Sequence, residues 1–360
     1  MAADSRPGSK PPSRISQLAR REGELRDLGD RVRSTPAAGA GPELSARRDD
    51  LLRRIDEQHG RVTRELEDRR ALAKMGEEGK RLVEESRDPS TSPRRKAELE
   101  GKIGKAKKDF AAKKEELKEK YGSQDAPKGS PDAEDPCVPC LEKDAEALEA
   151  ETSEETEKKL ELARGLCDAE GSADAADAEL VAQELAKMPR EDLERMEANG
   201  TRVAVCRGSV TDCRPGLAGD PPRGWPEGTD WSKVPGCYDD STNRVVVATR
   251  GHGTERGAHV PDTGDGHGSA NLAIHEAYHG LDYKSGKPSS GADFTSVRAA
   301  APGELSDYMS QSGQAGEEES FAESAARRFG CPPDVVPEQP RLDDYWRTNP
   351  LGRAGGGGTR

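Results

Sequence analysis

Two histidines and a glutamate within residues 271–283 could carry out hydrolytic chemistry. The stretch reads NLAIHEAYHGLDY, so His275 and His279 are four residues apart and Glu276 directly follows the first histidine. On a helix the two imidazoles project from one face, one turn apart, and both can reach a single ion about 2 Å away. Glu276 then lies beside the ion, where its carboxylate can take a proton from a zinc-bound water and later give it to the leaving amine. The spacing therefore predicts a zinc hydrolase site with Glu276 as the base.

The surrounding sequence predicts that this motif lies on a helix that follows a strand. Val-rich runs at 201–210 and 243–250 are bounded by turn residues and are predicted strands. A loop at 251–268 follows, and Ser269 is a suitable N-cap for a helix that begins near Ala270. Three histidines of this loop are expected to be exposed rather than catalytic: His252, His259 and His267.

A zinc hydrolase needs a third protein ligand and an open fourth position. The extended pattern HExxHxxGxxH is absent, because Asp282 and Ser285 stand where it has Gly and His. The remaining option is a carboxylate on a later helix, and GEEESFAESAARRFG at 316–330 supplies it. Glu319 and Glu323 are four residues apart, so one can bind metal while the other hydrogen-bonds a ligand histidine. Two neighbouring carboxylates stay open as alternative ligands: Glu317 and Glu318.

The N-terminal part of the chain is rich in strong helix formers and poor in aromatic residues. Of the 13 aromatic residues, only Phe110 and Tyr121 precede residue 200, so we expect the packed core in the C-terminal part. Apolar residues at helical spacing form a thin stripe between charged faces, which is typical of a hairpin or loose coiled coil. Such an arm is a spacer, an arm that binds a partner, or simply a solvated helix. The predicted helices are Arg14 to about Ser34, Glu43 to about Arg87 and Pro93 to Tyr121.

A Pro- and Gly-rich linker at 122–141 carries Cys137 and Cys140. CxxC is half of a zinc site, but no second pair follows at suitable spacing, so a local disulfide or free thiols are favoured. Acidic helices are expected from about Leu141 to Ala169 and from Ala175 to Ala198. Mostly free thiols are expected in the C-terminal part, with one or two disulfides if the protein works outside a cell: Cys206, Cys213, Cys237 and Cys331.

Composition limits the classes of partner and location. The formal net charge of −13 argues against nucleic acid as the main partner. No stretch approaches 18 consecutive apolar residues, and the N-terminus lacks the apolar segment of a secretory signal, so we expect a cytoplasmic protein or export by a non-Sec route, without a membrane span. The predicted organisation is a disordered start (1–13), a helical arm (14–121), a linker (122–141), an acidic helix or linker (142–175), a metallopeptidase domain (176–347) and a disordered tail (348–360).

Two motifs together resemble a known family. HEAYHGLDY, followed 40 residues later by ESFAE, resembles the lethal-factor-like zinc peptidases, the family of the anthrax lethal factor catalytic domain and the Pro-Pro endopeptidases. GTRVAVCRGSVTD and VPGCYDDSTNRVVVAT are similar to the strands that precede the metal helix in that family. The resemblance covers about residues 180–347. It implies an α+β zincin-like domain with a small mixed sheet, an HExxH helix and a Glu-bearing helix.

The resemblance also implies roles for individual residues. Tyr308 would stabilise the developing oxyanion, although its offset of 11 residues to Glu319 is longer than the family's usual gap. The strand at 243–250 would be an open edge that pairs with an extended protein or peptide substrate. The ligands would be His275, His279 and Glu319, with Glu276 as the base and Glu323 hydrogen-bonded behind a ligand.

The sequence thus predicts a zinc-dependent endopeptidase at the C-terminus, behind a helical arm that could bind a partner or a delivery machinery. The family resemblance and this arrangement favour a toxin or effector. Two alternatives remain: a non-catalytic helical adaptor with a zinc-stabilised C-terminal domain, and a housekeeping intracellular peptidase. Retention of Glu276 argues against the adaptor, because a purely structural site needs ligands but no base.

Overall fold

A computed structural model describes residues 13–36, 41–122, 138–222, 228, 230–261, 268–331, 338–348 and 351. The chain forms two compact units. The first comprises Met1–Thr35 and Arg47–Glu149, and the second comprises Pro36–Ala46 and Ala150–Arg360. Most of the predicted disordered start and tail lies outside the described residues.

Long helices form the first unit at nearly the predicted positions. They are α1 (Arg14–Ser34), α2 (Pro42–Arg87) from Arg47 onward, α3 (Pro93–Tyr121) and the first part of α4 (Val138–Leu166). The side chains of Ser13 and Ser92 cap α1 and α3 by accepting hydrogen bonds from backbone N–H groups of the first turn. The apolar stripe is buried, for example at Leu51, Ile55, Val62, Leu66 and Leu72. Its coiled-coil packing stays a prediction.

The second unit begins earlier than the predicted boundary at residue 176. Ala163 and Leu166 of α4 belong to its core. The predicted helix to Ala169 is wrong at its end, because residues 167–169 form a strand whose backbone pairs with a neighbouring strand. The prediction of one helix from 175 to 198 is also wrong. The chain forms α5 (Ala175–Leu185) and α6 (Arg190–Ala198), which are separated before Pro189, a residue that has no N–H to continue a helix.

The described part of the second unit contains a four-stranded sheet in the order β1-β2-β4-β3. The strands are β1 (Cys167–Ala169), β2 (Arg202–Arg207), β3 (Gly236–Asp239) and β4 (Arg244–Thr249), and only the β3 and β4 pair among them is antiparallel. The expectation that residues 243–250 form an open edge is therefore wrong. β4 lies between β2 and β3, and the edge strands of the described sheet are β1 and the short β3.

Side chains alternate between the two faces of this sheet, as the period of a strand requires. Val203, Val205, Val245 and Val247 pack against the helices in the larger core. On the other face a smaller core is formed by Ala204, Cys206, Val210, Val234, Val246 and Ala248. The sheet is thus covered on both faces by apolar side chains.

The larger core is built around two helices, α7 (Leu272–Lys284) and α9 (Gly313–Gly330). α7 starts two residues later than predicted, because the side chain of Asn271, rather than Ser269, accepts a hydrogen bond from Ile274 N at 3.1 Å. The end of α9 lies directly against this cap. A Cβ at Gly330 would lie 2.6 Å from that of Asn271, so only glycine permits the approach.

The second unit is completed by α8 (Ala292–Ala300) and α10 (Pro340–Arg347). Trp346 of α10 packs against Phe321 of α9 with ring centroids 4.8 Å apart, and its Nε1 donates a hydrogen bond to Ser324 Oγ at 2.9 Å. Phe294 of α8 also packs against Phe321. The late aromatic residues of the sequence therefore fix the helix that carries Glu319.

The cysteines mostly follow the prediction of free thiols, which holds for Cys167, Cys206, Cys213, Cys237 and Cys331. In the CxxC pair, Cys140 is disulfide-bonded, whereas Cys137 lies outside the described residues. Among the helices that the structure describes, none is long and apolar enough to cross a membrane.

Candidate metal centre

α7 and α9 bring three potential ligands to one point. The Nε2 atoms of His275 and His279 are 3.1 Å apart, and they lie 3.2 and 3.4 Å from Oε2 of Glu319. The i and i+4 spacing on α7 sets the first distance, and the close packing of α9 against α7 sets the other two. The three atoms form a nearly equilateral triangle.

This triangle fits a tetrahedral metal ion. Ligand atoms about 2.05 Å from zinc in tetrahedral geometry are about 3.3 Å apart, which matches all three sides. Oε2 of Glu319 is buried and has no hydrogen-bond partner among the described residues. When both imidazoles are neutral and their Nε2 atoms carry no proton, three lone pairs face one another at close range, an arrangement that a cation relieves. In the described chain this is the group of residues with the spacing of a metal site.

The carboxylates around His275 also favour a positive charge at the triangle. Burial by itself would lower the pKa of this histidine, but the carboxylates of Glu319 and Glu323 raise it to about 10. His275 Nδ1 lies 3.3 Å from Oε2 of Glu323, which is 1% exposed. Glu323 also accepts hydrogen bonds from Ala270 N and Arg327 Nε. Glu323 is therefore placed to hold the histidine from behind, the arrangement common for metal-bound imidazoles.

Glu276 is buried beside the triangle, with 4% of its surface exposed. Burial raises the pKa of its carboxyl, while His275 and His279 oppose the rise. Gly236 of β3 makes room for this side chain, because a Cβ there would lie 3.1 Å from Glu276 Cγ and 2.7 Å from Leu272 Cδ1. The edge strand and the glutamate are thus in direct contact, so an extended chain beside β3 would pass close to Glu276.

Tyr308 lies at the same site, on the connection between α8 and α9. Its ring centroid is 6.3 Å from that of His275. Burial, followed by the carboxylate of Glu319, raises the pKa of its phenol well above the usual value. The hydroxyl therefore keeps its proton at neutral pH and can donate a hydrogen bond.

The two alternative ligands are engaged elsewhere. Glu318 accepts a hydrogen bond from Lys287 Nζ at 2.8 Å, and Glu317 accepts one from Ser290 Oγ at 2.8 Å. Both partners lie on the segment that follows α7. No local pattern predicts this pairing, because the partners are about thirty residues away in the chain.

The two described loop histidines, His252 and His259, are not part of the group with metal-site spacing. His252 is not simply exposed: its Nε2 lies 2.9 Å from Oδ1 of the buried Asp177 and 3.0 Å from Thr249 Oγ1. His259 Nδ1 lies 2.9 Å from Gly257 O. His267 lies outside the described residues. Gly236, which makes room for Glu276, was not predicted from the sequence, because nothing in its local sequence marks it.

Comparisons with known proteins agree with the motif. Residues 152–327 match the family model for anthrax toxin lethal factor, N- and C-terminal domain. The chain is 34% identical over 117 residues to a Pro-Pro endopeptidase of Paenibacillus alvei, which covers 31% of this chain and 48% of that relative. The chain thus spans about half the length of this curated relative.

A solved structure of the Pro-Pro endopeptidase from Paenibacillus alvei is also similar, with a TM-score of 0.42 and 24% identity over 52% of this chain and 98% of that chain. The family match begins near the start of the second compact unit and includes the HExxH motif and Glu319. Residues 152–327 of this chain are therefore similar to the lethal factor family.

Proposed function

We propose that the second unit is a zinc-dependent endopeptidase that cleaves a protein or peptide substrate. The observation that carries the proposal is the triangle of His275, His279 and Glu319, whose sides of 3.1 to 3.4 Å suit zinc, with Glu276 buried beside it. The match to the lethal factor family model and the identity to a protein named Pro-Pro endopeptidase support it.

The chain's own residues would share the work of hydrolysis. His275, His279 and Glu319 would hold the metal, which when bound acidifies the attacking water and polarises the scissile carbonyl. Glu276 would take the proton from the water and later give it to the leaving amine. Burial raises the pKa of Glu276, which strengthens it as a base for this transfer.

Two further elements would serve the substrate. Tyr308 would donate a hydrogen bond to the oxygen that gains negative charge, and its raised pKa keeps the proton available. The edge strand β3 would pair with an extended peptide by adding a strand to the sheet. Because Gly236 of β3 touches both Glu276 and Leu272, this pairing would bring a peptide bond close to the base.

Metal content and cleavage test the proposal together. We expect about one zinc per chain in the wild type by elemental analysis, and a strong loss in His279→Ala and Glu319→Gln. Glu318→Gln is the matched control, because its carboxylate binds Lys287, and it should retain zinc. If zinc persists in Glu319→Gln but is lost in Glu318→Gln, the third ligand is Glu318 and the assignment of Glu319 is wrong.

A peptide library that includes Pro-Pro bonds would test the activity. Cleavage by the wild type and at least a 100-fold lower kcat in Glu276→Ala, with zinc retained, is expected from the loss of general base catalysis. Zinc binding without cleavage of any library member would favour the adaptor alternative.

An effector role is a separate proposal that rests on the family match and on the helical unit that precedes the domain. Expression of the full chain in target cells should alter them, and expression of Glu276→Ala should not. Equal effects of the two proteins would remove the effector role and leave a housekeeping peptidase.

A further inference from the structure

The connection that carries Tyr308 has little regular structure of its own. Between α8 and α9 the chain forms a short 3₁₀ turn at Pro302–Glu304 and then continues as turns to Ser312. A hydroxyl that must meet a developing charge needs its position fixed to within about 0.5 Å. Side chains from outside the connection must therefore hold Tyr308 in place, all the more because its offset to Glu319 is 11 residues.

Arg298 on α8 binds the backbone on the C-terminal side of Tyr308. Its Nη2 donates hydrogen bonds to Met309 O at 2.8 Å and to Gln311 O at 2.9 Å. Its Nε donates to Ser320 Oγ at 2.7 Å. One planar guanidinium thus joins the residue that follows Tyr308 to the residue that follows Glu319.

The contacts around Arg298 tighten the same junction. Ser320 is fully buried, and its hydroxyl also lies 2.9 Å from Met309 O. Gly316, in the second turn of α9, lies so close to the connection that a Cβ there would overlap Gln311 O and lie 2.7 Å from Arg298 Nη2. Gln311 Nε2 donates a hydrogen bond to Tyr308 O at 2.9 Å. The backbone of the connection is therefore bound at the Tyr308 carbonyl and at the two carbonyls of Met309 and Gln311 that follow it.

We propose that Arg298 is a positioning residue that fixes Tyr308 against the metal-binding triangle. The proposal rests on the proposed peptidase function. The contacts of Arg298 would hold Tyr308 at the site despite its long offset to Glu319. Arg298 acts through the backbone of Met309 and Gln311 and through Ser320. Lysine cannot replace it, because an ammonium lacks the rigid planar fork that reaches both carbonyls and the hydroxyl at once.

Kinetics on the full chain separate positioning from a general structural effect. In Arg298→Lys we expect kcat to fall about 10- to 100-fold, the loss typical of a displacement of about 1 Å, while KM changes less than about 2-fold and zinc content stays near one. In the Tyr308→Phe background the same substitution should lower kcat less than about 2-fold, because the group that it positions is already gone. Arg347→Lys is the matched control, since Arg347 pairs with Asp344 at the surface.

Hydrogen exchange supplies a measurement that needs no activity. Amides of residues 305–312 should exchange at least about 10-fold faster in Arg298→Lys than in the wild type, whereas those of α7 should not change. Ser320→Ala removes one of the three contacts and keeps the arginine. It should give smaller changes of the same kind, which preserves the test if Arg298→Lys does not fold.

The outcomes distinguish the two proposals. Equal losses of kcat in the wild-type and Tyr308→Phe backgrounds would overturn the positioning role and leave the peptidase intact. Unchanged exchange at 305–312 would overturn it regardless of activity. A wild type that binds zinc but cleaves nothing would overturn the peptidase and the positioning role together.

Discussion

Replacing Asp192 by Asn is expected to stabilise the second unit at neutral pH. Asp192 lies on α6 and is 4% exposed, and its Oδ2 accepts a hydrogen bond from Tyr278 Oη at 2.5 Å. Its Oδ1 has no hydrogen-bond partner among the described residues. Asparagine keeps an acceptor for Tyr278, which lies within the HExxH motif, and removes a charge that is poorly solvated.

The magnitude follows from the pKa of this carboxyl. Burial raises it from 3.8 to about 6, while the Tyr278 hydrogen bond and Arg195 oppose the rise. Because the pKa of Asp192 is higher in the folded than in the unfolded chain, the folded state binds the proton more tightly. Its contribution to stability is fully present below pH 3.8, where the carboxyl is protonated in both states, and it is lost as the pH rises through about 6. The shift of about 2 pKa units makes ionised Asp192 cost about 3 kcal/mol at pH 8. The free energy of unfolding of Asp192→Asn should therefore exceed that of the wild type by up to about 3 kcal/mol at pH 8, and by less than about 1 kcal/mol at pH 4.

Denaturant unfolding of the full chain measures this difference. The three tryptophans lie between residues 225 and 346, so their fluorescence reports on the second unit. Chelator in every sample removes the pH dependence of metal binding. The reasoning would be refuted if the stability advantage of Asp192→Asn over the wild type were the same at pH 4 and pH 8. It would also be refuted if the wild type were more stable than Asp192→Asn at pH 8. Tyr278→Phe should be less stable than the wild type at pH 8, because it removes a hydrogen bond to the buried charge.

Three further outcomes are expected. Gly236→Ala should keep zinc but lower kcat at least about 10-fold, because the added methyl displaces Glu276; wild-type kcat with zinc retained would contradict the assigned contact. Gly330→Ala should lower the free energy of unfolding by about 1 to 3 kcal/mol, because its methyl group would clash with Asn271. The control Gly303→Ala adds a methyl group in open space and should change the free energy of unfolding by less than about 0.5 kcal/mol. Equal effects of the two substitutions would show that the clash does not occur. Removing metal should cost about 4 kcal/mol of stability when free zinc was 1,000-fold above its Kd, and an unchanged midpoint would argue against a bound ion.

The local sequence predicted those features of the site and fold that depend only on helix geometry and helix capping. The positions of His275 and Glu276 relative to His279 follow from 3.6 residues per turn once the segment is helical. The ranges of α1 and α3 follow from serine caps and strong helix formers.

Tertiary contacts decided where local propensity was overruled. Cys167–Ala169 follows an acidic helix in sequence, but its backbone pairs with β2, and this ladder ends the helix early. β3 has only four residues, too few to reveal from their pattern that they form the edge of the sheet. The expectation of an edge at β4 failed for this reason.

The sequence by itself determined that two histidines and a glutamate share one helix and that a second cluster of glutamates lies on a later helix. Which of those glutamates meets the histidines was decided only by the fold. Lys287 and Ser290 bind Glu318 and Glu317, and the contact of Gly330 with Asn271 sets how closely α9 lies against α7. Such pairings join residues far apart in the chain, and no local periodicity encodes the distance between them.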